Sequence, residues 1–425
     1  MEEKSSSSQS GAEAQAQGQE KKKKLWQTST QLHPLVEAFT VGDDHHLDSK
    51  LLEYDLQASS AHASMLASIQ VLSEEELSTL QKALEEIKQL HKEGKFEITR
   101  AQEDGHTAIE QYITEHYGEV GKKIHTGRSR NDQSLVMLRL YAKDKLKEII
   151  SLTERLVTTF QHAAQQHATT EMPGYTHMQR AMPTTVGVWL DSFACALQDS
   201  LLCLRSTLTL IDQNPLGSAA GFGIRHLPLD RAMTAREMGF ERVQENVMYC
   251  GFSRGFFEWI MMQALAVILT VTSRFAVDMM GFTQQETAFF ALPDEFVTGS
   301  SIMPQKKNYD LFEIMRGNGK VFASYQAQMQ GIILGLGSGY HRDLQLTKKP
   351  FVEGVELCTS TLELLLDVVP ALRVNKERLR GAMTKDLYLT DEVYKRVASG
   401  VPFREAYQLV KNEFFSAAAS SALSE

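Results

Sequence analysis

The sequence predicts an all-α protein built around long, near-parallel helices. Apolar residues recur in alternating steps of three and four over long stretches, the spacing of a single helix face. Gly and Pro concentrate at a few junctions, 118–127, 173–174, 214–223, 299–304 and 331–339, so the runs between them are uninterrupted. No segment shows a convincing strand alternation of useful length.

Taken in order, residues 2–24 contain no aromatic or β-branched side chain. Such a segment cannot bury enough apolar surface to offset its ordering entropy, so residues 1–24 are expected to be disordered. Lys21–Lys24 reads as a solvated tail rather than an import signal. Glu2 and Glu3 stand where a secretory leader needs basic residues, and the lack of arginine argues against a mitochondrial one.

From Leu25 onward helices dominate. Leu135, Leu138, Ala142, Leu146, Ile149, Leu152, Leu156 and Phe160 share one face. Leu190, Ala194, Leu197, Leu201, Leu204, Leu208 and Ile211 share a second; Phe257, Met261, Ala264, Ile268, Val271 and Phe275 share a third. At about 1.5 Å per residue these are rods of roughly 30–35 Å, with seams suited to bundle packing. Rods this apolar call for partner helices, which a homo-oligomer supplies. The most apolar run, Trp259–Val271, lies between Glu258 and Arg274 and is expected to be a core helix too short to span a bilayer.

The 425 residues, 43% hydrophobic and 23% charged, suit a soluble protein of roughly two to four domains. A net charge of −9 argues against a general nucleic-acid or membrane binder, yet permits a local basic pocket. The four cysteines form no C-x-x-C pair and no Cys/His cluster, so they read as reduced cytoplasmic thiols, not a zinc site or disulfide framework.

Three polar clusters interrupt the helical pattern. His125-Thr126-Gly127-Arg128-Ser129-Arg130-Asn131-Asp132-Gln133 precedes a long helix, with Ser129 or Asn131 as the cap. Its arginines and amides suit a carboxylate, but an exposed basic turn has the same composition. Pro173-Gly174-Tyr175-Thr176-His177-Met178-Gln179-Arg180-Ala181-Met182-Pro183 places His177 in a bracketed turn. A lone histidine is more often structural, though its ordinary pKa of about 6.5 suits proton transfer. Gly299-Ser300-Ser301-Ile302-Met303-Pro304-Gln305-Lys306-Lys307-Asn308 reads either as a plain surface loop or as a site. In a site, backbone amides and Lys306 would stabilise a serine alkoxide.

The third cluster resembles the G-S-S-x-M-P-x-K-x-N signature of the fumarase/aspartase superfamily. The first two resemble the argininosuccinate lyase family and its crystallin relatives, and the match runs from about Leu25 to about Tyr407. The resemblance implies a three-domain lyase fold, divided as 25–129, 130–380 and 381–425, whose long central bundles pack into a tetrameric multi-helix core. Active sites would be shared between protomers. It implies β-elimination of argininosuccinate to arginine and fumarate, with Ser300 as base, Lys306 steadying negative charge, and His177 paired with Glu313 in proton transfer. The direction of the Ser300 and His177 roles stays open. Asn131, Thr176, Asn308, Tyr340, Gln345 and Lys348 carry over as substrate-binding, and Arg130 and Lys348 as its cations. No metal or organic cofactor is implied.

Five departures from the family pattern stand out. The opening is Lys24-Leu25-Trp26-Gln27-Thr28-Ser29, and Gly42 stands where a substrate-binding serine is usual. Tyr309 replaces a proline after the signature asparagine. Gly255 replaces an aspartate after Arg254, and the C-terminal part ending at Glu425 is short. Alternatives are another superfamily lyase (adenylosuccinate lyase, fumarase or aspartase) or an inactive crystallin-like paralogue.

Overall fold

The computed structural model describes the backbone of residues 32–422 and the side chains of residues 32–416. The disorder expected of residues 1–24 and the altered opening segment lie outside the described residues. In chain order the elements are α1 (Pro34–Val41), α2 (Asp44–Ser68), α3 (Glu74–Lys92), α4 (Gly105–Tyr117) and α5 (Arg130–Gln166), then a hairpin of β1 (Glu171–Thr176) and β2 (Gln179–Thr185). There follow α6 (Val186–Ile211), α7 (Arg231–Glu237), α8 (Val247–Ser253), α9 (Phe256–Phe282) and α10 (Asp310–Ile333). The chain continues with α11 (Lys348–Ala371), α12 (Lys376–Ala382), α13 (Leu389–Ala398) and α14 (Phe403–Ala422). Helix dominates, as expected. Contacts group the chain into two compact units: one runs to Leu140 and takes in Asn214–Gly251, the other comprises Tyr141–Gln213 and the chain from Phe252 on.

In the first unit α2, α3 and α4 bury a core of Leu52, Leu56, Leu66, Leu80, Leu84, Ile87, Ile109 and Ile113. α3 starts where it does because Ser73 and Glu76 cap it reciprocally: Ser73 Oγ accepts from the Glu76 amide at 3.2 Å, and Glu76 Oε2 accepts from the Ser73 amide at 3.0 Å. A cap of this kind is worth about 1 kcal/mol.

In the second unit α9 packs against α6, α10 and α11. The predicted seams are largely the buried faces: all eight residues from Leu135 to Phe160 along α5, which runs through both units, are buried, as are Leu190, Ala194, Leu197, Leu201, Leu204 and Ile211 of α6, while Leu208 and Val271 are half-buried. Phe275 sits at the centre, with Phe160 and Phe193 each 5.3 Å away edge-on. Truncating such a ring typically costs about 3–5 kcal/mol. The same helices keep apolar side chains exposed, among them Val188, Leu202, Ile314 and Val321.

Two expectations are corrected. α9 is longer than the apolar run Trp259–Val271, extending through Arg274 and Asp278 to Phe282, and Asp278 accepts a hydrogen bond from Trp189 Nε1 at 2.9 Å. By length and composition α6 and α9 could each cross a membrane; in the folded unit each is about half buried, as core helices are. The second correction is the β1–β2 hairpin. Pro173, Gly174 and Pro183 hide its alternation, and the register slips between Pro173 and Tyr175.

Candidate active site

The first polar cluster opens α5 within the first unit. Ser129 is the cap: its Oγ accepts from the Asn131 amide at 3.2 Å, while Asp132 Oδ1 accepts from the Ser129 amide at 2.8 Å. Asp132 Oδ2 takes two further amides, Gly217 at 3.1 Å and Ala219 at 2.9 Å, and so ties the glycine-rich 214–223 loop to the helix start. Burial pushes the Asp132 carboxyl up to about 6 despite these donors and Arg128.

Arg130, read as a substrate cation, pairs with Asp104 at 2.9 Å and Glu103 at 3.3 Å and donates to Thr107 at 2.9 Å. Its guanidinium is thereby anchored by two carboxylates inside its own unit. Asn131 is half-buried beside it.

Behind this helix start Gln133, Arg128 and His125 meet buried polar residues that the sequence did not single out. Gln133 Nε2 donates to both oxygens of Asp55 at 2.6 Å, and Arg128 donates to Ser59 at 3.1 Å and to His125 Nδ1 at 2.6 Å. Burial, with Arg128 assisting, drives His62 down to about 3 and holds His106 and His125 well below the usual range. His106, Glu110 and His125 bring ligand atoms within 4.8 Å of one another. The two imidazoles are stacked at 3.6 Å, however, and His125 Nε2 donates to the His106 carbonyl at 2.9 Å. Parallel rings beside a guanidinium, with both His125 nitrogens engaged, do not converge on a cation.

In the second unit His177 and Met178 form the two-residue turn of the β1–β2 hairpin, with φ of 52° and 61°. Both signs match a type I′ turn, which normally takes Asn-Gly. Thr176 and His177 are exposed at its tip.

The signature loop is closed at its stem by a two-rung ladder, Thr298 opposite Asn308 and Gly299 opposite Lys307. Thr298 donates to Asp310 at 2.8 Å, Asn308 donates to the Gly299 carbonyl at 3.3 Å, and Lys307 pairs with Asp294 at 2.5 Å. Ser300 and Lys306 adjoin the Gly299–Lys307 rung, and Asn308 lies on the ladder itself. Ser300 Oγ accepts from the amides of Ile302 at 3.3 Å and Met303 at 3.1 Å. Donors aimed at this oxygen favour negative charge on it, and such contacts shorten when charge develops. Lys306 is exposed and forms no ion pair among the described residues. Tyr309, in the place of the family proline, caps α10 without a side-chain bond, and the Thr298–Asp310 contact fastens that junction instead.

Two further departures have physical reasons. Gly255 has φ +75°, and a Cβ there would lie 2.9 Å from Ile333, 3.2 Å from Leu344 and 3.3 Å from Thr347. An aspartate has no room. The close approach seats the 3-10 turn Arg342–Thr347 against the start of α9, and Arg254 lies over the Tyr340 ring at 5.1 Å. Gly42 has φ 53° and ψ −131°, a backbone that only glycine adopts readily, so a serine cannot simply replace it.

Gln345 is half-buried and Lys348 is 2% exposed, and both are engaged within the fold. Glu313 is exposed on the first turn of α10. Among the described residues no hydrogen bond or ion pair joins His177 to Ser300, Lys306 or Glu313. A cavity of about 390 Å³ in the second unit, bordered by His162, Leu190 and Pro370, is lined by none of the predicted residues.

The helical architecture and the signature loop define a lyase of the fumarase type. A family model described as Lyase matches residues 27–322. The chain belongs to the argininosuccinate lyase family. It is 43% identical over 390 residues to the argininosuccinate lyase of Sorangium cellulosum, covering 92% of this chain and 90% of that one. With the enzyme of Thermotoga neapolitana it shares 40% over 391 residues, covering 92% and 98%. Among solved structures, an EDDS lyase variant with bound fumarate superposes with a TM-score of 0.76 at 26% identity, covering 92% of this chain and 78% of that one. The class II fumarase of Schistosoma mansoni shares the fold, with a TM-score of 0.75 at 16% identity and coverage of 88% and 87%.

Proposed function

We propose that this lyase splits argininosuccinate into arginine and fumarate by β-elimination in the cytoplasm. The single observation that carries the mechanism is Ser300 Oγ facing two amides at the stem of a loop that also presents Lys306. As an alkoxide, Ser300 takes the proton from the succinyl carbon beside a carboxylate. The carbanion's charge spreads into that carboxylate and is balanced by Lys306. The C–N bond then breaks, fumarate forms, and His177, paired with Glu313, protonates the departing guanidino nitrogen. Asn131, Thr176, Asn308, Tyr340, Gln345 and Lys348 bind the substrate, with Arg130 as a further cation. The elimination needs no metal or organic cofactor.

We further propose a homotetramer in which His177 and Ser300 of one site come from different protomers. Two observations support this: among the described residues no hydrogen bond or ion pair joins His177 to Ser300, Lys306 or Glu313, and α6 and α10 keep apolar side chains exposed. The substrate reading is tested by fumarate release from argininosuccinate, adenylosuccinate and aspartate side by side. Release from argininosuccinate alone is expected; preferential release from either of the others rejects the assignment.

A further inference from the structure

We propose that Arg180 is a positioning residue for His177, acting as a strut between the hairpin and the end of α12; the inference rests on the reading of His177 as a proton-transfer group. The starting point is strain. His177 and Met178 are non-glycine residues at φ 52° and 61°, and left-handed backbone is unfavourable for such residues because Cβ crowds the following carbonyl oxygen. A turn of that kind persists only where its flanks over-determine it.

The ladder alone is a weak flank. Thr176 pairs with Gln179 and Tyr175 with Arg180, but the register then slips, and Pro173 and Pro183 face each other without amide hydrogens. The support comes from outside the hairpin. Arg180 Nη1 donates to the carbonyl of Ala382, the last residue of α12, at 2.9 Å. A cation suits a helix C-terminus. β1 packs on α12 and β2 on the 3-10 turn Lys385–Tyr388. On the other side the Tyr175 ring lies 5.8 Å from Phe282, the last residue of α9. The His177 ring is exposed and held by no side-chain partner among the described residues. Its position is therefore set by the backbone turn, and the turn by its struts.

The test is a double-mutant cycle with the full-length enzyme, normalised to folded protein. Arg180→Ala is expected to lower kcat by about ten- to a hundredfold, the scale of an ångström-sized misplacement, with KM within about twofold. The pH–rate limb belonging to the histidine should weaken with it. In a His177→Asn background the same change should cost nothing further, because there is no imidazole left to place. Arg180→Lys should recover part of the rate. Met178→Gly in the Arg180→Ala background should recover part as well, since glycine holds the turn without strain. Equal fold-losses in both backgrounds, or an unchanged kcat per folded site, would overturn the proposal. Near-normal turnover of His177→Asn alone would overturn the histidine's role, and the strut's function with it.

Discussion

Gly255→Ala tests the link between packing and substrate binding most sharply. The added methyl would sit 2.9 Å from Ile333 Cγ2, 3.2 Å from Leu344 Cδ2 and 3.3 Å from Thr347 Cγ2, on a backbone at φ +75°. The left-handed conformation costs about 1–2 kcal/mol for alanine, and overpacking against three neighbours about 1–3 kcal/mol more. The sum is roughly 2–5 kcal/mol, read as a lowered urea midpoint. Relief comes by pushing the Arg342–Thr347 turn away from α9, which disturbs Gln345 and the Arg254–Tyr340 stack at 5.1 Å. The Ser300 loop is untouched. KM for argininosuccinate should therefore rise about tenfold, a loss of roughly 1.4 kcal/mol, while kcat falls little. A stability change below about 0.5 kcal/mol with an unaltered KM would show that the turn has room to spare and would refute the reasoning.

Three further outcomes follow. Buried His62, down at about 3, stays neutral in the fold, so its stabilising effect is complete above the ordinary pKa near 6.5 and is lost as pH falls toward 3. Asp55 and Asp132, pushed up to about 6, act oppositely, gaining stability as pH falls through 6. His62→Gln should therefore lose about 2 kcal/mol less than the parent between pH 7 and 5; identical pH profiles by chemical denaturation would count against the buried neutral imidazole. Mixing His177→Asn with Ser300→Ala by co-refolding should regenerate activity in roughly a quarter of sites if each site draws on two chains; hybrids no more active than their parents would place both residues in one chain. Turnover should survive a chelator, and restoration by a divalent ion after loss would reveal a metal requirement.

The helical seams were legible because Leu135 to Phe160 and Leu190 to Ile211 keep their period without interruption, and the structure buries those faces. The Ser300 loop was legible for a related reason: its oxygen and its donors, Ile302 and Met303, are neighbours in sequence. Long-range partners were not. Nothing local shows that Arg130 meets Glu103 and Asp104, that Lys348 is buried, or that Arg254 lies over Tyr340. The hairpin that carries His177 was missed because two prolines and a register slip break its alternation. The reason for Gly255 was not legible either, because the approach of Leu344 and Thr347 is long-range.

The most direct test of the central claim is single-turnover fumarate release by Ser300→Ala at saturating argininosuccinate, with binding followed separately by calorimetry. The base contributes in the transition state, whereas affinity resides in the amide, phenol and cationic groups that hold the substrate. Binding close to that of the parent, with turnover nearly abolished, is the predicted result. Near-normal turnover would contradict it and take the proton-abstracting role away from Ser300.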